Sequence, residues 1–591
     1  MLGLPWWVSF LVVALAAVTG RTLRLPAGAG RAMHTWLSSR WAAPLAGFLS
    51  AAVTVWVWRA LDRPPVLHDE AAYLLQAQLF ASGRWSGSVT PLPEFFQQLY
   101  VLVDPVLASK YPPGHSLILS LGALVGRPAL VVVIMNGFAG ALVYALARRV
   151  AGSPTALLTW LVWMTCFPVL YYRANYMSQT TTSLMWLVAW WGIVRWRDAT
   201  GGRSWRWLAV GGAAVAWCAI TRPMTALALG VVFGVVVLRT ARTTRRWREV
   251  VPAALVACTV ITLLPLWSWR TTGSPTVAPL TVYTRTYVPF DKPGFGVEPG
   301  ARPSSRLPRD QMITSASFYQ EHARHTIGAL PHTARERLTM IAHDAWYEWR
   351  GGLTVFAMLG MLMLPAEALV VLTAFALQFL LYLSYAHPAR WTIYYVEGAP
   401  ILAFMTAVGV ARALAWASRD RSSTEASPWW TPGPLRQWWS WLRRSPAAIE
   451  PPHRLMLPIC VLIAVGLFAG ARVMQQVRGQ IDGDHEYHEA FASLLTRISE
   501  PRAVVFVRYG PDHNDGLSLV RNAAAPSDAR IWTAYDRGAD NQRLLRFAPD
   551  RAPYLFDETS WTLRRLQRPA ESPRTSGVAS APTPDVPTPR R

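Results

Sequence analysis

Charge is what this sequence has least of. Only 15% of its 591 residues are Asp, Glu, Lys or Arg, and its mean hydropathy is +0.21. A soluble domain carries about 25% charged residues, so the deficit argues against an ordinary water-soluble protein. Acid is scarcer than base, with 34 Asp and Glu against 57 Lys and Arg. Lysine is nearly missing: Lys110 and Lys292 are the only two. Between Pro105 and Arg197 there is no acidic residue at all. The four cysteines, Cys166, Cys218, Cys258 and Cys460, lie within or beside apolar runs. Their spacing excludes a zinc site or a disulfide framework and fits buried packing. No inverted repeat relates the two halves, which speaks against a transporter.

What the sequence does have is uncharged apolar stretches, among them 6–18, 255–267 and 457–469. Several approach the ~17–25 residues needed to cross a ~30 Å hydrocarbon core. A soluble core would break them with polar residues every turn or so. The chain therefore reads as a polytopic α-helical membrane protein of about 11–13 spans. Its net charge of +23 sits in short loops between apolar runs: Arg148 and Arg149, 195–206, 239–248 and 412–444. This is the positive-inside pattern, with no single basic face for a phosphate backbone, so nucleic acid is excluded as a partner.

Hydropathy and loop charge together give a topology. Spans are expected near 5–20, 42–61, 116–147, 155–171, 180–196, 207–221, 224–239, 250–268, 352–366, 368–384, 395–415 and 456–473. A signal peptide is the rival reading of the first, but no positive charge precedes it. Two long polar loops, 62–115 and 270–350, then fall on the extracytoplasmic side. So does the C-terminal region, where 503–507 and 530–534 read as strands of a small α/β domain. The Pro/Ser/Thr-rich tail reads as disordered. The expected divisions are 1–41 (an extra span and cytoplasmic loop), 42–416 (the main membrane module), 417–474 (a cytoplasmic loop and last span), 475–568 (the small domain) and 569–591 (the tail).

The first polar loop carries the most chemistry. In His68-Asp69-Glu70-Ala-Ala-Tyr73-Leu-Leu-Gln76, the residues Asp69, Tyr73 and Gln76 share one helical face. The acids stand at the helix N-terminus, where the dipole favours ionised carboxylates. An ordinary N-terminal charge pair is the alternative. Lys110-Tyr111-Pro112-Pro113-Gly114-His115 follows, its prolines suited to a helix first turn. A compact ammonium retained in an arginine-using chain suits a point contact to phosphate; an interfacial anchor is the alternative. Arg173, Arg222 and Arg390 also lie at outer edges, against the inside bias. They call for anionic partners or for snorkelling to headgroups.

These pieces resemble the GT-C glycosyltransferases, and more narrowly the protein-mannosyltransferase and aminoarabinose-transferase group, which uses polyprenyl-phosphate sugars. The resemblance spans about 42–416. It rests on Asp69-Glu70, the Gly83 turn, Lys110-Tyr-Pro-Pro-Gly and the Arg390-Trp391…Pro400 segment, in this order. It implies a GT-C-like membrane fold with Asp69 as catalytic base and Glu70 positioning acceptor or base. It further implies Lys110 and Arg390 on the donor phosphate, with Arg222 and Arg173 as further candidates. Tyr73, Tyr111, His115, Asn175, Gln179 and His387 are the expected substrate-lining residues. Some relatives carry a second acid in the next outer loop. Here 173–182 has none, Asn175 or Gln179 would stand in, and a divalent metal becomes doubtful.

The expectation is an inverting transferase that moves a sugar from a polyprenyl-phosphate donor to a hydroxyl on a glycan, lipid or protein. It would work in a bacterial inner membrane with its site facing the periplasm, among membrane lipids and without a certain cofactor. A lipid-linked-saccharide flippase and a non-catalytic envelope scaffold are the alternatives.

Overall fold

The computed structural model describes residues 6–22, 26–89, 91–199, 201, 203–417, 456–521 and 523–567. The expected cytoplasmic loop after 417 and the expected tail from 569 lie outside the described residues. The described chain is mostly helical. Five helices are long and apolar enough to cross a membrane: Pro128–Ala151, Pro223–Thr244, Trp247–Thr272, Thr392–Leu414 and Leu457–Leu495. Two bent pairs raise the number to seven if each is one span: Gly28–Ser38 with Ala42–Trp58, at 75°, and Arg350–Leu362 with Ala366–Tyr382, at 119°.

The expected count near a dozen is therefore larger than the number of membrane-length helices described, for local reasons. The stretch near 155–171 is divided into Ser153–Met164 and Phe167–Tyr171, with a break just before Pro168. Proline lacks the N–H that would continue a helix ladder. Gln179–Asp198 opens on Gln-Thr-Thr-Thr-Ser, and all five of these side chains are buried. Thr182 donates to Glu397, which also accepts from Gln378 Nε2 at 2.9 Å, so this end of the helix serves a polar interior. Elsewhere the helices close tightly. Gly360 and Gly409 face each other where Leu353–Leu362 crosses Ala399–Ala417, and a Cβ on either would collide with the opposite carbonyl, of Met405 or Phe356.

One end of the helical layer carries the polar loops and a four-stranded sheet. A two-stranded ribbon, β1 (Val101–Leu102) and β2 (Ala108–Ser109), precedes Lys110. The sheet comprises β3 (Ala503–Arg508), β4 (Ile531–Tyr535), β5 (Ala552–Asp557) and β6 (Thr562–Arg565), in the order β4-β3-β5-β6. β3 runs parallel to β4 and β5, and β6 closes one edge antiparallel. The strands expected at 503–507 and 530–534 are β3 and β4. β5 and β6 had no clear signal, because Pro553 interrupts one and the other is a short, mostly exposed Thr-Leu-Arg-Arg.

Alternate residues of β3 face opposite sides. Val505 and Val507 pack on Phe491 and Leu494, from the end of the 40-residue helix Met456–Leu495. Val504 and Phe506 pack instead on Phe95 and Phe96 of the first polar loop. Each fully buried Phe or Val contributes ~1.5–3 kcal/mol. The boundary expected at 474 thus falls inside a continuous helix, and one face of the sheet is completed by residues of the first polar loop.

Candidate active site

Asp69 and Glu70 open the helix His68–Ala81, as their spacing predicts. Leu67, in extended conformation, is its N-cap. Glu70 is 3% exposed and uses both carboxylate oxygens: Oε1 accepts from Leu67 N–H and Oε2 from Tyr176 N–H, each at 3.1 Å. It braces the helix start against the 173–182 loop. Asp69 is only half-buried and accepts a hydrogen bond from the Tyr111 hydroxyl. Burial pushes the Asp69 carboxyl above the ordinary carboxylate range, opposed by the Tyr111 bond and by the positive charges of Lys110 and Arg222.

Lys110 is 5% exposed, with its ammonium 4.0 Å from the Tyr100 ring centroid and 5.3 and 5.4 Å from those of Tyr283 and Tyr111. Its ion-pair partner is Asp291, at 3.4 Å. Asp291 also accepts from the Tyr385 hydroxyl at 2.8 Å, and His322 Nε2 stands 3.7 Å away. The cage is locally strained: Tyr100 has a φ of 68°, and its N–H donates to the Tyr283 hydroxyl at 3.0 Å. Backbone outliers of this kind gather at functional sites. Gly114 lets the Lys110–Pro113 segment seat beside the turn before Arg222. Its N–H donates to Ile220 O at 2.8 Å, and a Cβ there would collide with Thr221 Oγ1.

Arg222 donates to the Tyr382 hydroxyl at 3.2 Å and lies 5.1 Å from the Tyr394 ring centroid. Its Nη1 is buried and has no hydrogen-bond partner among the described residues. Tyr73 stacks on Tyr111 at 4.6 Å and donates to Ser178 Oγ at 3.0 Å. The result is a group of two cations and two carboxylates walled by tyrosines, able to hold an anion beside a carboxylate base.

The other residues singled out from sequence are placed differently. Arg173 is buried among the helices, where it donates to Asn136 at 3.4 Å and lies over Trp163 at 4.8 Å. Asn175 closes a local turn with Tyr171 O and Met177 N–H. His115 spends both ring nitrogens, on Thr181 Oγ1 at 2.8 Å and Tyr176 O at 2.9 Å. Gln179 is buried at the start of its helix, its Oε1 without a partner among the described residues. His387 bonds the Tyr395 hydroxyl at 3.1 Å and Pro388 O at 3.0 Å. Arg390 is exposed, and among the described residues no bond joins it to the Lys110 group.

Asp291 escaped the sequence reading. It is one of several acids in the 270–350 loop, and 181 positions separate it from Lys110. The only faint signal was the tyrosine-rich run before it. Among the described residues, no group of three or more His, Cys, Asp or Glu side chains is placed to hold a metal ion.

The sequence matches no protein-family profile and no curated protein. Solved structures do align with this one over most of the chain. ArnT from Cupriavidus metallidurans bound to undecaprenyl phosphate is 14% identical, with 87% of this chain and 90% of that chain covered and a TM-score of 0.41. The same enzyme in its apo state is 15% identical, with 86% and 92% covered and a TM-score of 0.45. The archaeal oligosaccharyltransferase AglB from Archaeoglobus fulgidus, in complex with an inhibitory peptide and a dolichol-phosphate, is 12% identical, with 83% and 65% covered and a TM-score of 0.39.

Proposed function

We propose that the chain is a GT-C-like membrane glycosyltransferase. It moves a sugar from a polyprenyl-phosphate donor to an acceptor hydroxyl on the extracytoplasmic side. The observation that carries this reading is the half-buried Asp69 carboxylate beside the caged Lys110 and Arg222. In the step proposed, the acceptor oxygen bonds the anomeric carbon as the bond from that carbon to the phosphate oxygen breaks. The acceptor proton passes to Asp69, and the polyprenyl phosphate leaves as an anion. Lys110 and Nη1 of Arg222 stabilise the charge growing on that leaving group. A single displacement of this kind inverts the anomeric configuration and needs one general base. Glu70, with both oxygens occupied, contributes by holding the helix that carries Asp69.

The test uses the full chain in nanodiscs with radiolabelled hexosyl- and pentosyl-phosphoundecaprenol and an envelope extract as acceptor. The expected result is acceptor labelling with stoichiometric release of undecaprenyl phosphate, both lost in Asp69→Asn. Equal transfer by Asp69→Asn would remove Asp69 as the base. Movement of intact donor between leaflets without release of phosphate would instead favour the flippase reading.

A further inference from the structure

The C-terminal unit grips the start of the Asp69 helix most directly through the guanidinium of Arg521. Arg521 donates through Nη1 to Pro65 O and through Nη2 to Val66 O, the latter at 3.1 Å. These carbonyls belong to the residues just before the N-cap Leu67. The same guanidinium donates through Nε to Ser518 O at 3.1 Å, and its Nη2 lies 2.7 Å from His488 Nε2. The Arg521 main chain is tied to β4: its N–H donates to Thr533 Oγ1 at 3.0 Å, and Thr533 Oγ1 donates to its carbonyl at 3.4 Å. Nearby, Ala524 packs with Ala72, Leu75 and Leu79 of the Asp69 helix.

Among the described residues, Arg521 forms no ion pair with a carboxylate. Burial lowers its guanidinium to about 10, which leaves it charged at neutral pH, and Glu70 is the acid whose charge it feels most. Removing a cation from water is unfavourable, so a side chain used only for packing would be better apolar. What the guanidinium adds is directional: two donors fix two successive carbonyls at a helix start. Asp69 follows only three residues after Val66, and Glu70 four.

We propose that Arg521 is a positioning residue for Asp69. Through the Pro65 and Val66 carbonyls it sets the height and rotation of the helix His68–Ala81. The C-terminal unit is then a working part of the transfer centre. This inference rests on the reading of Asp69 as the base. Lys110 and Arg222 lie on other segments, held by Asp291 and by Tyr382, and Tyr111 links that group to the Asp69 helix, so losing this grip displaces Asp69 more than it weakens donor binding. A displacement near 1 Å at a base costs up to ~10²-fold in rate.

The experiment compares the full-length wild type with Arg521→Ala and Arg521→Lys in nanodiscs. With undecaprenyl-phosphate-linked sugar as donor, Arg521→Ala loses at least ~10-fold in kcat while donor KM stays within about twofold. Arg521→Lys falls between, because one ammonium cannot fork across two carbonyls. Guanidinium ion at tens of millimolar restores part of the rate to Arg521→Ala and none to Asp69→Asn. Hydrogen exchange gives a second readout that needs no activity: amides 68–72 exchange faster in Arg521→Ala, while β3 and β5 stay protected. Wild-type rate and exchange in Arg521→Ala would overturn the proposal. So would loss of protection across β3 and β5 together with the rate, since that is unfolding of the unit. A wild type that transfers no sugar defeats the functional reading, and the exchange result still decides whether Arg521 positions the helix.

Discussion

Asp69 and Glu70 are neighbours in the chain, yet they face two different regions of the molecule. Asp69 looks into a tyrosine-walled space with two cations within electrostatic range and carries one side-chain hydrogen bond, from Tyr111. Glu70 looks into the seam between the 173–182 loop and the C-terminal unit, where two backbone amides fill its oxygens. Successive residues on a helix point about 100° apart, so one short motif presents a carboxylate to the tyrosine-walled space on one side and braces the architecture on the other. An acidic pair in a sequence is thus two separate questions, settled by what each carboxylate faces.

Neutralising each acid in turn separates the two roles. Asp69→Asn should lower transfer by ~10²–10⁴-fold, the range for a lost general base. Its thermal midpoint should hold or rise, because burial disfavours the charged form that it removes. Glu70→Ala should do the reverse. The buried Tyr176 amide loses its acceptor at ~1–3 kcal/mol and the part-buried Leu67 amide at less, so the midpoint falls while the rate per folded molecule stays within about tenfold. Thermal melts and active-site-normalised rates read both variants. Equal patterns in the two would erase the distinction.

The seam carries its own pH signature through His68, whose ring is held down at about 4 by burial and by the nearby Arg521 charge. The folded state keeps it neutral while the unfolded chain protonates it below about 6.5. The unfolded state then binds more protons between those values, and stability falls as pH drops through that window. Between pH 7 and pH 5 the loss from this group is ~2 kcal/mol. A urea series at both pH values should show it in the wild type, and His68→Gln should reduce the loss by that share, leaving the part due to His488, which burial and Arg521 hold down at about 3.

The Asp69 side has a different signature. The rising limb of rate against pH should lie above the ordinary carboxylate range near 3.9. Tyr111→Phe should move that limb higher still, because the Tyr111 bond opposes the rise. The smallest expected effect is at Asp291. Asp291→Asn frees Lys110 from its ion partner, and donor KM should fall several-fold while the Tyr100 cage keeps the ammonium in place. An increase in donor KM would show that Asp291 orients Lys110 for the phosphate instead of competing with it.

Much of this is legible in the order of the residues alone. The apolar runs announce membrane helices, Lys110 stands out as one of two lysines, and Asp69 opens its helix as the spacing requires. The span boundaries are less legible, because hydropathy averages over a window and misses a break such as the one before Pro168. Arg173 and Arg390 share the outer-edge signal of Arg222, yet Arg222 acts on the charge of Asp69, Arg173 is buried against Asn136 and Trp163, and Arg390 is exposed. Edge position fixes depth along a helix and says nothing of which way a side chain turns.

Local composition and short-range periodicity carry the membrane class, the Asp69 helix and a lone lysine kept at a membrane boundary. The partners come from the folded packing: Asp291 pairs with Lys110, Glu70 is spent on backbone amides and Arg521 grips the start of the Asp69 helix. The Asp291 and Arg521 contacts close loops of 181 and 455 residues or more. Their geometry comes from the packing of distant segments, which no local pattern records.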